Sequence, residues 1–253
     1  MFNLTLVESN RTGCQGWKKG DFVQANRPNN TSWARSCALA AVVLVAGCTT
    51  KPKPPPGTTP SVVVGAPLKS DAWKSVATAA DEDRIARLGL AWQEALADVR
   101  KTNAVDLRRE GRLLMPRASL PRPAPTPGSY NCRLIKLGKA TTKSRPYESF
   151  KPFFCYVEVE DDLLTIVKQT GSQRPAGRLW EDDDPNRLVF LGSLALGDAQ
   201  TLVAYGDDPK RDMAGVIERI APFKWRLVIP WPQSTSKLDV FELTPVDFSQ
   251  QPQ

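Results

Sequence analysis

Histidine is absent from all 253 residues of the chain. Its absence excludes catalytic Ser-His and Cys-His pairs, and any metal site built on imidazole ligands. Cysteine is scarce as well, with five residues in total. The sequence therefore predicts no catalytic residue, no metal site and no cofactor, and we expect a protein that is not an enzyme.

The chain also lacks an apolar run long enough for a transmembrane helix. The run Cys37–Val45 has about half of the roughly 20 residues that a spanning helix needs. It follows Arg35 and leads into Leu44-Val45-Ala46-Gly47-Cys48, an order of charge, apolar residues and small residues that is typical of a secretory signal. This stretch resembles a bacterial lipobox, in which Cys48 becomes the lipid-bearing first residue. A buried strand is the alternative interpretation.

Lipidation of Cys48 predicts an exported protein, anchored in the bacterial cell envelope through its lipid and facing the periplasm. Thr49, rather than an aspartate, after that cysteine favours the outer membrane. Residues 1–47 are then the signal region, and we expect the true start codon downstream of Met1, because the polar stretch before the apolar run is too long for a signal. Residues 48–70 form a tether, whose five prolines between Lys51 and Pro60 predict an extended, stiff chain.

An amphipathic helix is predicted after the tether. Apolar residues recur at steps of three and four, the spacing of one helix face, and predict a helix over Thr78–Lys101; they are Ile85, Leu88, Trp92, Leu96 and Val99. A shorter helix is expected near Val105–Leu114. This helical arm covers residues 71–115, and the five prolines of the linker 116–127 end it, because proline at that density continues neither a helix nor a sheet.

Residues 128–247 are predicted to form a mainly β domain, followed by a tail, 248–253. About eight or nine short strands separated by turn residues favour an antiparallel barrel or sandwich, α+β overall with the helix. The candidates are Ser129–Leu137, Phe153–Glu160, Leu163–Thr170, Gly177–Glu181, Arg187–Ser193, Thr201–Tyr205, Gly215–Ile220, Trp225–Ile229 and Leu238–Leu243. Alternation in the first and in Trp225–Ile229 predicts one buried and one wet face.

Two cysteines of the β domain remain once the signal region and the lipidated residue are set aside. Cys132 and Cys155 form an even pair in an oxidising compartment, which predicts a disulfide. Metal binding is the alternative, but there is no third cysteine to complete a site.

Several short motifs are spread over the β domain: Gly128-Ser129-Tyr130-Asn131-Cys132-Arg133, Lys136-Leu137-Gly138, Phe154-Cys155, Lys168-Gln169-Thr170-Gly171-Ser172-Gln173-Arg174, Phe190-Leu191-Gly192, Gly215-Val216-Ile217-Glu218-Arg219 and Trp225-Arg226-Leu227-Val228. As a set they resemble a domain-of-unknown-function family of alphaproteobacterial envelope proteins. The likeness covers roughly Asp71–Pro245, and it implies no activity. A lipid-anchored small barrel with one disulfide is also similar, in fold alone, to periplasmic inhibitors of lysozymes and metalloproteases.

A possible recognition loop lies between two predicted strands. It contains Thr170, Gly171, Ser172, Gln173 and Arg174, and the arginine could bind a carboxylate or phosphate bidentately. The alternative is a hairpin turn whose polar side chains satisfy backbone groups. The acidic runs Asp182-Asp183-Asp184 and Asp207-Asp208 could hold a cation, but their spacing favours solvated turn charges.

Three functions follow as hypotheses. The first is a non-enzymatic envelope module that binds a protein or an envelope polymer. The second is a small-ligand carrier with a hollow barrel, against which Trp180, Phe190 and Trp225 indicate a filled core. The third is a carboxylate-dependent enzyme that acts on a glycan, with Glu218 and a turn aspartate. No nucleic-acid partner is expected, because the positive excess lies before Gly128 and the β domain is nearly neutral.

Overall fold

The computed structural model describes residues 68–168, 173–196, 201, 203–233 and 236–247. Within them, nine antiparallel strands form one sheet that closes because the first strand also pairs with the last. The strands are β1 Gly128–Leu137, β2 Tyr147–Ser149, β3 Phe153–Glu160, β4 Leu163–Lys168, β5 Gln173–Glu181, β6 Arg187–Leu196, β7 Asp212–Ala221, β8 Lys224–Pro230 and β9 Leu238–Pro245. The predicted mainly β fold is confirmed as a barrel.

Eight strands make the barrel, and β2 is an extra strand beside it. Closure runs along most of β1, from Tyr130 opposite Pro245 to Leu137 opposite Leu238. Strand β2 pairs only with the last three residues of β1, so it lies outside the ring. The sequence did not predict β2, because Tyr147–Ser149 is too short to show alternation.

The helical region consists of α1 Ser70–Lys74, α2 Ala79–Ala86, α3 Leu88–Thr102, α4 Ala104–Glu110 and the 3-10 turn Gly111–Leu114. Thr78 caps α2 as expected, accepting a hydrogen bond from the Asp81 N–H at 3.2 Å. One continuous helix to Lys101 was wrong, since Arg87 (φ −93°, ψ 16°) separates α2 from α3. None of these helices is both long and apolar enough to cross a membrane.

The apolar stripe of the helices packs on the outer face of the barrel. Ile85, Trp92 and Val99 belong to one buried cluster with outward-facing barrel residues such as Ile135 and Val228. A second cluster fills the inside of the barrel; its members include Tyr130, Val157, Leu179, Phe190, Ile217, Trp225 and Leu227. Most of β8 and the second half of β1 are therefore buried on both faces, and the predicted wet face is corrected there. Asn131, in the first half of β1, is exposed as predicted.

Arg226, on the outward face of β8, is a charged residue whose burial is explained by its hydrogen bonds. Arg226 is fully buried beneath the helices and donates to Glu218 at 2.7 Å. Its guanidinium also donates to the carbonyls of Leu113 and Met115, at 2.8 and 2.7 Å, and lies 4.8 Å from the Trp92 ring centroid. Arg226 thus ties the end of the helical layer to the barrel.

One predicted strand does not form. The described residues of Thr201–Tyr205 are irregular, and two of them make contacts across the fold. The Tyr205 hydroxyl donates to Asp81 in α2, and the Val203 carbonyl accepts from Ser193. Residues 116–127 also pack on the barrel, where the Leu120 N–H donates to the Arg219 carbonyl at 2.8 Å.

The predicted disulfide between Cys132 and Cys155 is present. It joins β1 to β3 inside the barrel, with the two Cα atoms 5.9 Å apart. Cys48, the predicted lipidation site, lies outside the described residues.

Candidate binding cavity at one end of the barrel

The two ends of the barrel interior differ. At one end Tyr130 and Trp225 meet edge to face with ring centroids 5.9 Å apart, and the Tyr130 hydroxyl donates to the Thr126 carbonyl at 2.6 Å. At the other end the interior encloses a cavity of about 280 Å³. The barrel is therefore filled at one end and hollow at the other.

The walls of the cavity are mostly apolar. Six strands each contribute one inward-facing apolar side chain, because alternate residues of a strand face the same side. These residues are Leu134, Pro175, Leu194, Met213, Ile229 and Phe241. Together they offer a continuous apolar surface to any ligand that enters.

Phe190 closes the barrel interior deeper inside. Its ring lies over Gly177 and Gly192, where a Cβ atom would come within 2.7 Å of the ring atoms. The two glycines leave the ring the space it needs. Phe190 and Trp225 thus fill the core as predicted, whereas Trp180 lies on the outer side against the helical cluster.

Lys136 and Asp239 face each other in the cavity wall from the paired strands β1 and β9. Their Nζ and Oδ2 atoms are 3.6 Å apart, and both side chains are more than nine-tenths buried. Ser236 also donates a hydrogen bond to Asp239. Burial raises the pKa of Asp239, against the opposing effects of Lys136 and Ser236. The pair balances its own charge.

Arg84 reaches the cavity from α2. Its guanidinium pairs with Asp81 and donates to the Trp231 carbonyl at 3.3 Å. Burial lowers the pKa of Arg84, while Tyr205 and Asp212 favour its charged form. Asp212, also in the wall, accepts a hydrogen bond from the Gly206 N–H at 3.0 Å through Oδ1. The other oxygen, Asp212 Oδ2, is buried and has no hydrogen-bond partner among the described residues.

Lys168 is a partly buried cation of the cavity wall. It ends β4, and its Nζ lies 4.0 Å from the centroid of the Phe153 ring. No carboxylate among the described residues pairs with it. Burial lowers the pKa of Lys168, since its ammonium is partly removed from water. Its charge is therefore available to a ligand.

Two further cations line the cavity just before β7. Arg211 donates to the carbonyls of Leu194 and Thr201, at 2.8 and 2.5 Å. Neither Arg211 nor Lys210 has a carboxylate partner in the part of the chain that the structure describes. With five cationic and two acidic side chains in its lining, the cavity carries a positive excess.

The predicted recognition loop falls only partly within the structure. Thr170, Gly171 and Ser172 lie outside the described residues, whereas Gln173 begins β5 and lines the cavity. Arg174 follows Gln173 in β5, opposite Ala195 of β6. The sequence prediction thus reached the edge of the cavity through Gln173.

The acidic run in the turn before β6 supports α1. Asp182 is buried, and its carboxylate accepts from the Trp73 indole at 3.1 Å and from Arg187 at 2.6 Å. Asp183 accepts the Lys69 and Ser70 N–H groups at the start of α1, at 2.9 and 3.4 Å. Solvated charge is therefore the wrong description of Asp182. Within the described residues no group of acidic or cysteine side chains is arranged to hold a metal ion.

Glu218 is not placed to act on a glycan. It lies on the outer face of β7 beneath the helical layer, 6% exposed, and its Oε2 accepts from Arg226. A carboxylate that is covered and engaged in this way offers no accessible group to a polymer. The third hypothesis loses the residue on which it depended.

The fold and the cavity define a class of protein: a small antiparallel barrel that is filled at one end, hollow at the other and covered on one side by helices. Residues 73–243 match the model of a family described as "Domain of unknown function (DUF4893)", and the chain belongs to this family. The match begins in α1 and ends in β9, so it includes both the helices and the barrel. No curated protein and no solved structure matches the chain.

Proposed function

We propose that the protein is a non-enzymatic binding module of the bacterial cell envelope that holds a small ligand in the end cavity of its barrel. The observation that carries this proposal is the cavity itself, about 280 Å³ in volume and walled by apolar side chains from six strands. Ligand sites are typically concave, mostly apolar and about 300–1,000 Å³ in volume, with a few polar groups that fix orientation. The cavity lies near the lower limit, which suits a small ligand.

The cavity favours a small-ligand carrier over a module that binds a protein or polymer through its loops. A protein that binds its partner through surface loops does not need a hollow interior, and empty volume in a core lowers the stability of the fold. Cavities of this kind cost about 24 cal/mol per Å³ when they replace packed side chains. The barrel fills its interior with Phe190 and Trp225 elsewhere, so the hollow end is a specific feature of this sequence.

The envelope location rests on the lipobox-like sequence that ends at Cys48 and on the disulfide. Disulfides persist mainly in oxidising compartments such as the periplasm. We expect Cys48→Ala to move the protein from the membrane to the soluble fraction of a bacterium that expresses the full chain, with Thr58→Ala in the predicted tether as the control. Retention of Cys48→Ala in the membrane fraction would contradict the anchoring.

The binding function can be tested by native mass spectrometry of the full chain, isolated from bacterial envelopes in mild detergent. We expect a small-molecule adduct on the wild-type protein. Leu194→Trp places a large side chain in the cavity and should abolish the adduct, whereas Leu90→Trp on the exposed side of α3 should keep it. A wild-type protein that carries no adduct and takes up none from an envelope extract would overturn the proposal.

A further inference from the structure

We propose that the ligand of the end cavity is an amphipathic organic anion, with an apolar body against the barrel wall and one acidic head group that pairs with Lys168. This inference rests on the proposed function, because it names the class of ligand that the same cavity takes.

The two acidic side chains of the wall lie near cations of the protein. Asp239 pairs with Lys136 and accepts a hydrogen bond from Ser236. Asp212 accepts from the Gly206 N–H through Oδ1, while its buried Oδ2 has no hydrogen-bond partner among the described residues, and its charge favours the charged form of Arg84. With five cationic side chains against these two carboxylates, the wall favours a negative ligand over a positive one.

The five cationic side chains of the wall differ in whether a carboxylate of the protein pairs with them. Lys136 is paired with Asp239, and Arg84 is paired with Asp81. Lys168 and Lys210 have no carboxylate partner among the described residues, and Arg211 uses its guanidinium on backbone carbonyls. An ammonium that is partly withdrawn from water favours a negative partner, since the pair is less screened than on the surface.

Lys168 is also positioned between the polar and the apolar parts of the cavity. It lines the main cavity and a small void beneath it, which Phe190, Leu227 and Phe241 also line. A head group at its Nζ would leave the rest of the ligand against apolar side chains. Burial of apolar ligand surface against these side chains favours binding, so a short aliphatic or aromatic body matches this wall better than a polar one.

The experiment measures binding of two probes, decanoate and decanol, to the full-length protein in detergent, with decanoate below its micelle concentration and decanol below its solubility limit. The probes share the apolar chain and differ in the acidic head group. We expect the wild type to bind decanoate at least 10-fold more tightly than decanol. A charge-assisted contact of this kind changes affinity by roughly 10- to 100-fold.

Three variants identify the residue that provides the preference. Lys168→Met keeps the length of the side chain and removes its charge, so decanoate affinity should fall to that of decanol. Lys168→Arg keeps the charge and should restore the preference. Lys143→Met removes an exposed lysine outside the cavity lining and should leave both affinities unchanged.

Decyl phosphate, tested beside decanoate, shows whether the site prefers a carboxylate or a phosphate head group. Equal binding of decanoate and decanol, or an unchanged preference in Lys168→Met, would overturn the inference and leave the proposed binding function intact. Binding of none of the probes would overturn it as well. The adduct experiment with Leu194→Trp then decides separately whether the cavity holds any ligand.

Discussion

Arg226→Met is the substitution with the largest expected effect on stability. Arg226 is fully buried and donates to Glu218 and to the carbonyls of Leu113 and Met115, at 2.7, 2.8 and 2.7 Å. Methionine fills much of the same space but donates no hydrogen bond. The variant therefore leaves the Glu218 carboxylate and the backbone carbonyls of Leu113, Met115 and Pro116 without this donor under the helical layer.

The expected loss follows from these contacts. Removing one partner of a buried ion pair lowers the free energy of unfolding by about 3–5 kcal/mol, because an uncompensated charge remains buried. The carbonyls that lose their donor add about 1 kcal/mol. We expect a total of about 4–6 kcal/mol, which is a large part of the roughly 5–15 kcal/mol that stabilises a typical domain.

Urea unfolding of the oxidised protein, followed by tryptophan fluorescence, measures this loss. Arg109→Met on the exposed side of α4 is the control and should change stability by at most about 0.5 kcal/mol. Adding Glu218→Met to Arg226→Met removes the unpaired carboxylate and should recover about 1–3 kcal/mol. A loss below about 1 kcal/mol for Arg226→Met would refute the assignment of Arg226 as the tie between helices and barrel.

Two further substitutions test the barrel interior. Replacing Cys132 and Cys155 together with serine should lower the free energy of unfolding by roughly 3 kcal/mol; a urea midpoint equal to that of the oxidised wild type would contradict this. Burial raises the pKa of Asp239, so its stabilising effect is fully present below the unfolded-state pKa and is lost as pH rises through the folded-state value. The wild type should therefore lose stability relative to Asp239→Asn as the pH rises above about 4; parallel pH profiles would contradict it.

The strands could be predicted from the sequence because local patterns determine them. β3 begins and ends where predicted, at Phe153 and Glu160, since turn residues bound an alternating stretch. The predicted strand Thr201–Tyr205 failed for the opposite reason. Its apolar residues favour a strand locally, but the Tyr205 hydroxyl is bound by Asp81 in a helix more than 100 residues earlier. Such a contact leaves no periodic signal.

The break between α2 and α3 was equally hidden. No proline or glycine stands at Arg87, and the apolar stripe continues across it from Ile85 to Leu88. Arg87 instead contacts the Trp231 ring, with its guanidinium 4.7 Å from the ring centroid. The position of the break thus depends on a residue that only the folded chain brings near.

The cavity was missed although its signal is present in the sequence. Lys136 continues the inward phase of Cys132 and Leu134, and Lys168 continues that of Ile166. A lysine in the phase of buried residues conflicts with the rule that long charged side chains remain exposed unless paired. Asp239 shows the same conflict in phase with Phe241 and Leu243.

The direction of each strand shows where in the barrel these inward-facing charged residues lie. Lys168 is the last residue of β4, Lys136 is the last but one of β1, and Asp239 is the second of β9. Antiparallel pairing therefore brings all three to the same end of the sheet. Because the sheet closes, these three side chains lie around one end of the barrel interior. Charged side chains that face inward at one end of a barrel indicate that a polar site replaces the apolar core there. The position of a ligand site can therefore be predicted from phase and strand direction before any side chain is placed.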